Sequence, residues 1–168
     1  MASDGSVYVA DHNNHRIQKF TSEGVFVSEW DSQGSGDGEF QRPLHIAVAS
    51  DGSVYVAGRD NDRIQKFTPG GVFVSKWGTF GAGDGEFKEP WGVALAPDGS
   101  VYVSDRGAGT DERIQKFDSN GVFASKWGGF GTGDGEFSLP MGAAVASDGS
   151  VYVTDTDNHR IQKFSPGP

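Results

Sequence analysis

Apolar positions along the chain fall in short runs separated by glycine-rich polar turns, and the runs repeat almost letter for letter. Asp-Gly-Ser-Val-Tyr-Val begins at Asp4, Asp51, Asp98 and Asp148, so successive copies are offset by 47, 47 and 50 residues. Arg-Ile-Gln-Lys-Phe follows each copy, from Arg16, Arg63, Arg113 and Arg160. A further apolar run ends at Trp30, Trp77 and Trp127. A period of this size is the signature of a propeller or solenoid, where one unit cannot bury its apolar face alone and stacking supplies the core.

Each module reads as four short antiparallel strands. Val-Tyr-Val is continuously apolar and β-branched or aromatic, as expected of a strand covered on both faces. The Asp-Gly before it is a tight-hairpin signal joining it to a preceding narrow run, Ile46-Ala47-Val48, Val93-Ala94-Leu95 or Ala143-Ala144-Val145. Small side chains suit strands crowded around an axis, so these are placed innermost. In Arg-Ile-Gln-Lys-Phe the Ile and Phe are three apart and face opposite sides, and the polar pair between them implies partial burial. The strand ending in Trp carries Glu29, Lys76 or Lys126, charges that protect an exposed edge, so it is placed outermost. Four strands graded this way make one blade of a β-propeller. The link Gly-Asp-Gly-Glu-Phe, ending at Phe40, Phe87 and Phe137, joins successive blades, with its Phe expected to wedge between them.

The run Phe-x-x-Pro-x-Gly, Asp-Gly-x-Val-Tyr-Val-x-Asp, Asn-x-Arg-Ile-Gln-Lys-Phe resembles the NHL repeat. Asp11, Asn14, Arg16 and Ile17 match its most characteristic stretch, as do Asp155, Asn158, Arg160 and Ile161. The second copy departs, with Gly58 where the Asp belongs, and the third carries an insertion between Arg106 and Glu112. The resemblance implies an all-β propeller, and implies that the Asp and Arg of each repeat are structural. RNA binding, known for some members, is disfavoured because loops that should be basic are acidic. A peptide-amidating lyase of this type holds an axial zinc through histidines; only His45 stands on an inner strand here, so no catalytic residue carries over.

The strands divide the chain into a partial blade at 1–39, blades at 40–86 and 87–136, and a partial blade at 137–168. NHL propellers resemble closed rings of about twice this length, and an open arc exposes a blade face and strand edges. The expected completion is a homodimer in which Met141 to Ala146 of one chain supplies the inner strand missing before Ser6 of another. That leaves Asp148 to Phe164 redundant with residues 4 to 20. A larger ring with three-stranded junction blades and a small four-bladed monomer are the alternatives. The near identity of the modules points to recent amplification, or to an array cut from or designed on such repeats.

The net charge of −9 opposes nucleic-acid binding, which rests on neutralising phosphates. Most of it falls on the end bearing the second-to-third-strand loops and the links, along with His12, His15, His45 and His159. That end reads either as a cation or metal face or, more simply, as loops held by internal Asp–Arg pairs. Gly-Asp-Gly-Glu-Phe lacks the ligand spacing of a calcium loop and reads as a glycine-shaped link. There is no cysteine, hence no thiolate site, and no nucleophile, base and orienter set. No apolar segment is long enough to span a membrane, and no leader pattern opens the chain. Leu44, His45, Trp91 and Met141 are expected at the axial mouth of the inner strands, where propellers bind ligands. The expected function is a noncatalytic, self-assembling scaffold without cofactor or metal, presenting its acidic end to a protein, peptide or small ligand. A metal-dependent enzyme at the histidine-bearing end, and an engineered propeller without native ligand, are the other readings.

Overall fold

In the computed structural model, residues 2–30, 32–107 and 111–165 are described. The centre of the third-repeat insertion, 108–110, lies outside them. The described residues form four antiparallel sheets. The first holds β1 (Val7–Asp11), β2 (Arg16–Phe20) and β3 (Phe26–Trp30). The second holds β4 (Pro43–Val48), β5 (Val54–Gly58), β6 (Arg63–Phe67) and β7 (Phe73–Trp77). The third holds β8 (Pro90–Leu95), β9 (Val101–Asp105), β10 (Arg113–Phe117) and β11 (Phe123–Gly128). The last holds β12 (Pro140–Val145), β13 (Val151–Asp155) and β14 (Arg160–Phe164). The first blade therefore lacks an inner strand, the last lacks an outer one, and the ring is not closed within the chain.

Each Asp-Gly-Ser turn has a local cause. The Asp carboxylate accepts the amide of the Ser two residues on, at 2.8 Å for Asp51 and Ser53 and 2.9 Å for Asp148 and Ser150. The intervening glycine takes the left-handed conformation, φ +84° at Gly52, which costs a residue with a Cβ. The hairpin sets the register, and period-2 alternation then sends Ile and Phe of Arg-Ile-Gln-Lys-Phe to opposite faces. Ile17 packs forward on the second blade with Tyr8, Ala10 and Trp30, while Phe67 of that blade faces back to meet them. The same junction repeats twice, centred on Phe87 and on Phe137. Phe40, Phe87 and Phe137 are fully buried wedges, each contributing roughly 1.5–3 kcal/mol through burial. Trp30 lies over Phe67, Trp77 over Phe117 and Trp127 over Phe164, with ring centroids 5.5 to 6.3 Å apart.

One expectation is corrected. The polar pair between Ile and Phe was expected to be only partly buried, yet Gln65 and Gln115 are completely buried. They are buried because the preceding link crosses them and hydrogen-bonds to both ends of the amide. The outer-strand charges are also more than edge protection: Lys76 meets Asp37 at 2.5 Å, Lys126 meets Asp84 at 2.6 Å, and Glu29 meets Arg16 at 2.6 Å.

At the ends of the arc the repeated junction stops. Ile161 is 69% exposed, whereas Ile17, Ile64 and Ile114 at the same register are fully buried. Val9 is 41% exposed, and its counterparts Val56, Val103 and Val153 are fully buried.

Candidate functional site

The loop end is built by the segment running from the last residue of the second strand into the third. In the last blade, Asp155 is fully buried and accepts from Ser138 N–H at 2.7 Å, Asn158 Nδ2 at 2.9 Å and Arg160 Nε at 2.7 Å. Burial alone pushes its carboxyl up, but these donors outweigh that and hold it below the ordinary value. Arg160 then reaches the link, donating Nη2 to the carbonyls of Gly133 at 2.5 Å and Glu136 at 3.1 Å. Gln162 donates to the Glu136 carbonyl at 2.7 Å and accepts Gly135 N–H at 2.9 Å. Arg113 and Gln115 hold the Ala82–Glu86 stretch in the same way. Arg63 and Gln65 hold Ser35 to Glu39.

The link's glutamate closes the other side. Gly36 N–H donates to Glu39 Oε2 at 2.7 Å, and the pairs Gly83–Glu86 and Gly133–Glu136 repeat it. A Cβ at Gly34 would stand 2.0 Å from that carboxylate oxygen, so the first glycine leaves room for the glutamate. The acidic residues of this end are therefore largely engaged with the protein's own donors. Among the described residues no group of three His, Asp or Glu side chains converges in a way that could hold a metal ion. The histidines are dispersed: His12 Nδ1 lies 3.4 Å from the Pro43 carbonyl, and His15 Nδ1 accepts Arg42 N–H at 3.1 Å.

Leu44 and His45 lie on β4, Trp91 on β8 and Met141 on β12, the three innermost strands. His45 keeps an exposed edge but leans on the next blade, its Nδ1 accepting Val93 N–H at 3.4 Å. Nearby protein displaces enough water to lower its imidazole pKa. Trp91 is held between two guanidinium groups, Arg59 at 5.4 Å and Arg106 at 5.2 Å from its ring centroid. Glu89 pairs with both arginines, at 3.0 and 3.7 Å. The Met141 carbonyl accepts the Ser104 hydroxyl at 2.9 Å. A cavity of about 510 Å³ opens at the opposite, turn-bearing end, lined by Val48, Leu95 and Val145 among others. Residue types alone could not point to Arg59 and Arg106, because their stacking on Trp91 depends on how the blades meet.

Four stacked sheets with this strand order define a β-propeller arc. Sequence comparison matches NHL repeats at residues 1–20, 87–117 and 137–164, so the chain is a partial propeller carrying NHL repeats. No curated protein matches it in sequence. Among solved structures, a streptogramin B lyase overlays with a TM-score of 0.68 at 17% identity, covering 98% of this chain and 52% of that one. Selenomethionine-substituted virginiamycin B lyase from Staphylococcus aureus overlays with a TM-score of 0.68 at 15% identity, covering 100% and 55%. The WD40 β-propeller domain of Doa1 gives 0.67 at 16% identity, covering 98% and 48%. The chain thus spans about half the length of these structures. At such identities the likeness concerns the fold, and because a lyase and a WD40 domain share it, the fold does not decide whether this chain is an enzyme. No helix among the described residues is long and apolar enough to cross a membrane.

Proposed function

We propose that the chain is a noncatalytic propeller scaffold that closes its ring with a second copy of itself and offers its acidic loop end to a protein, peptide or small ligand. The observation that carries this reading is the pair of bare blade faces. Ile161 with Tyr152 on the last blade, and Val9 on the first, are the two halves of a junction that the chain already forms three times internally. Apolar faces left uncovered in this way are interaction surfaces. The overlay on about half of each neighbouring structure supports the same reading, since two such arcs supply about one propeller. In the closed ring Leu44, His45, Trp91 and Met141 are assigned to an axial ligand, with Trp91 as its anchor.

Light scattering or native mass spectrometry across a concentration series tests this. The chain mass is 17.8 kDa, and a stable species near twice that is expected. A concentration-independent monomer overturns the two-chain ring. The lyase neighbours favour one second reading, a metal-dependent enzyme at the histidine-bearing end. Zinc catalysis takes about three protein ligands, and a two-chain ring offers two copies of His45. Stoichiometric zinc retained through chelation and dialysis would establish that reading in place of the first.

A further inference from the structure

The link between blades is gripped the same way three times, and the fourth copy of the grip is present with nothing in it among the described residues. Arg63 with Gln65, Arg113 with Gln115, and Arg160 with Gln162 each bind the carbonyls of a preceding Gly-Asp-Gly-Glu-Phe link. Arg16 and Gln18 occupy the same register of the first blade, where the chain supplies no link before them. There Arg16 folds back on Asp11 at 2.8 Å and Glu29 at 2.6 Å. Gln18, its amide oxygen toward Arg16, accepts from Nε at 3.0 Å. Beside this pair the inner edge of β1 has no strand against it.

We propose that Arg16, Gln18 and the open edge of β1 form a binding site for an extended Gly-Asp-Gly-Glu-Phe-x-x-Pro segment followed by an inner strand, and that its occupant is Gly133 to Val145 of a second copy. This rests on the proposed two-chain ring. In its own chain that segment is gripped by Arg160 and Gln162 and paired with β13. The hairpins 7–20 and 151–164 share Val-Tyr-Val, Asp, Asn-His and Arg-Ile-Gln-Lys-Phe at the same positions, and their strand registers are the same. One hairpin can therefore replace the other without loss of a ladder or a grip, the usual condition for exchange of an identical element between protomers. The exchange also gains something. The incoming hairpin brings β3, so the junction blade acquires four strands, and Val9 takes the buried place of Val153 against the third blade. Backbone pairing supplies the affinity and the charge-assisted Arg16 contacts select the link.

One residue opposes the fit and makes it testable. Lys76 and Lys126 meet the link aspartates Asp37 and Asp84, whereas Glu29 stands at that position in the first blade. Docking sets Glu29 beside Asp134, a like-charge pair.

The experiment uses the full chain and a fluorescein-labelled synthetic peptide of residues 131–146. The peptide is expected to bind and, at saturation, to halve the native mass. Arg16→Ala with Gln18→Ala should weaken binding at least ten-fold, Arg16→Lys should lose most of that affinity by removing the fork while keeping the charge, and Glu29→Lys should tighten binding three-fold or more. Absence of binding, or affinity indifferent to these changes, overturns the site. A dimer that these substitutions leave intact overturns the site and keeps the ring. A monomer that binds the peptide through Arg16 and Gln18 overturns the ring and keeps the site.

Discussion

Asn61 Oδ1 accepts the Gln41 amide at 2.6 Å, the bond that Asp155 accepts from Ser138 at 2.7 Å in the last blade. The second blade has Gly58 at the aspartate position, and the neighbouring loop asparagine has moved in to cap the link. A Cβ at Gly58 would meet Asn61 Oδ1 at 3.4 Å and the Arg63 carbonyl at 3.5 Å, ordinary contacts, with no positive φ to strain it. Gly58→Asp is therefore expected to rebuild the geometry of Asp155, with Asn61 turning its amide nitrogen to the new carboxylate as Asn158 does. A gain of about 1 kcal/mol in a urea titration follows from one charge-assisted bond together with the loss of a flexible glycine. Asn61→Ala alone should cost about 1–3 kcal/mol, because the buried Gln41 amide then loses its acceptor. A Gly58→Asp chain no more stable than the parent shows that Asn61 already does the whole task.

Two glycines with the same backbone separate conformational strain from packing. Gly24 and Gly71 have φ of +81° and +85°. A Cβ at Gly24 meets nothing within 4 Å, while at Gly71 it would stand 2.5 Å from Trp30 Cδ2. Gly24→Ala is expected to cost about 1 kcal/mol, the left-handed penalty alone. Gly71→Ala should cost about 3 kcal/mol or more, since Trp30 must leave its place over Phe67. Equal costs, measured by thermal or chemical unfolding, would show that the tryptophan yields freely.

The propeller was legible because its signals are local and iterated. Strand length, the Asp-Gly turn before each Val-Tyr-Val and the alternation that parts Ile17 from Phe20 are all set within a few residues. The burial of Gln65 and Gln115 was not legible, because it depends on a link 26 to 29 residues earlier folding across them. The same holds for Trp91, whose guanidinium partners Arg59 and Arg106 come from two different blades. The aspartate–arginine pairs were read correctly as loop supports, but their second role, carrying the arginine to the next link, appears only when blades are stacked.

Asp62 carries the charge that fits its surroundings least. Burial, with Asp105, Asp60 and Glu89 nearby, raises its carboxyl pKa to about 6. Below the unfolded value near 3.8 the group is protonated in both states and has no effect. As pH rises from there to about 6 the unfolded chain ionises first, so folding stability falls; above 6 the loss is complete. Asp62→Asn removes that loss and suits the left-handed conformation, φ +52°. After solvent screening, the variant is expected to be more stable than the parent by on the order of 1 kcal/mol at pH 8, with the gap closing by pH 4. A gap that stays constant between pH 4 and 8 would exclude an ionisation effect.

Ile161 and Ile114 test how the arc ends. Both are the isoleucine of Arg-Ile-Gln-Lys-Phe, but Ile114 is fully buried against the last blade and Ile161 faces outward. Ile114→Asp buries a charge without a partner and should leave the chain unfolded at room temperature. Ile161→Asp should leave monomer stability within about 0.5 kcal/mol, as for an exposed position. Its effect on assembly separates two geometries. If bare blade faces stack on one another, Ile161 enters an apolar junction, and aspartate there abolishes the dimer. If hairpin 7–20 of one chain displaces hairpin 151–164 of the other, Ile161 leaves with the displaced hairpin, and Ile161→Asp dimerises as well as the parent. Exchange is the expected result, and a monomeric Ile161→Asp chain with parental stability would decide for stacking.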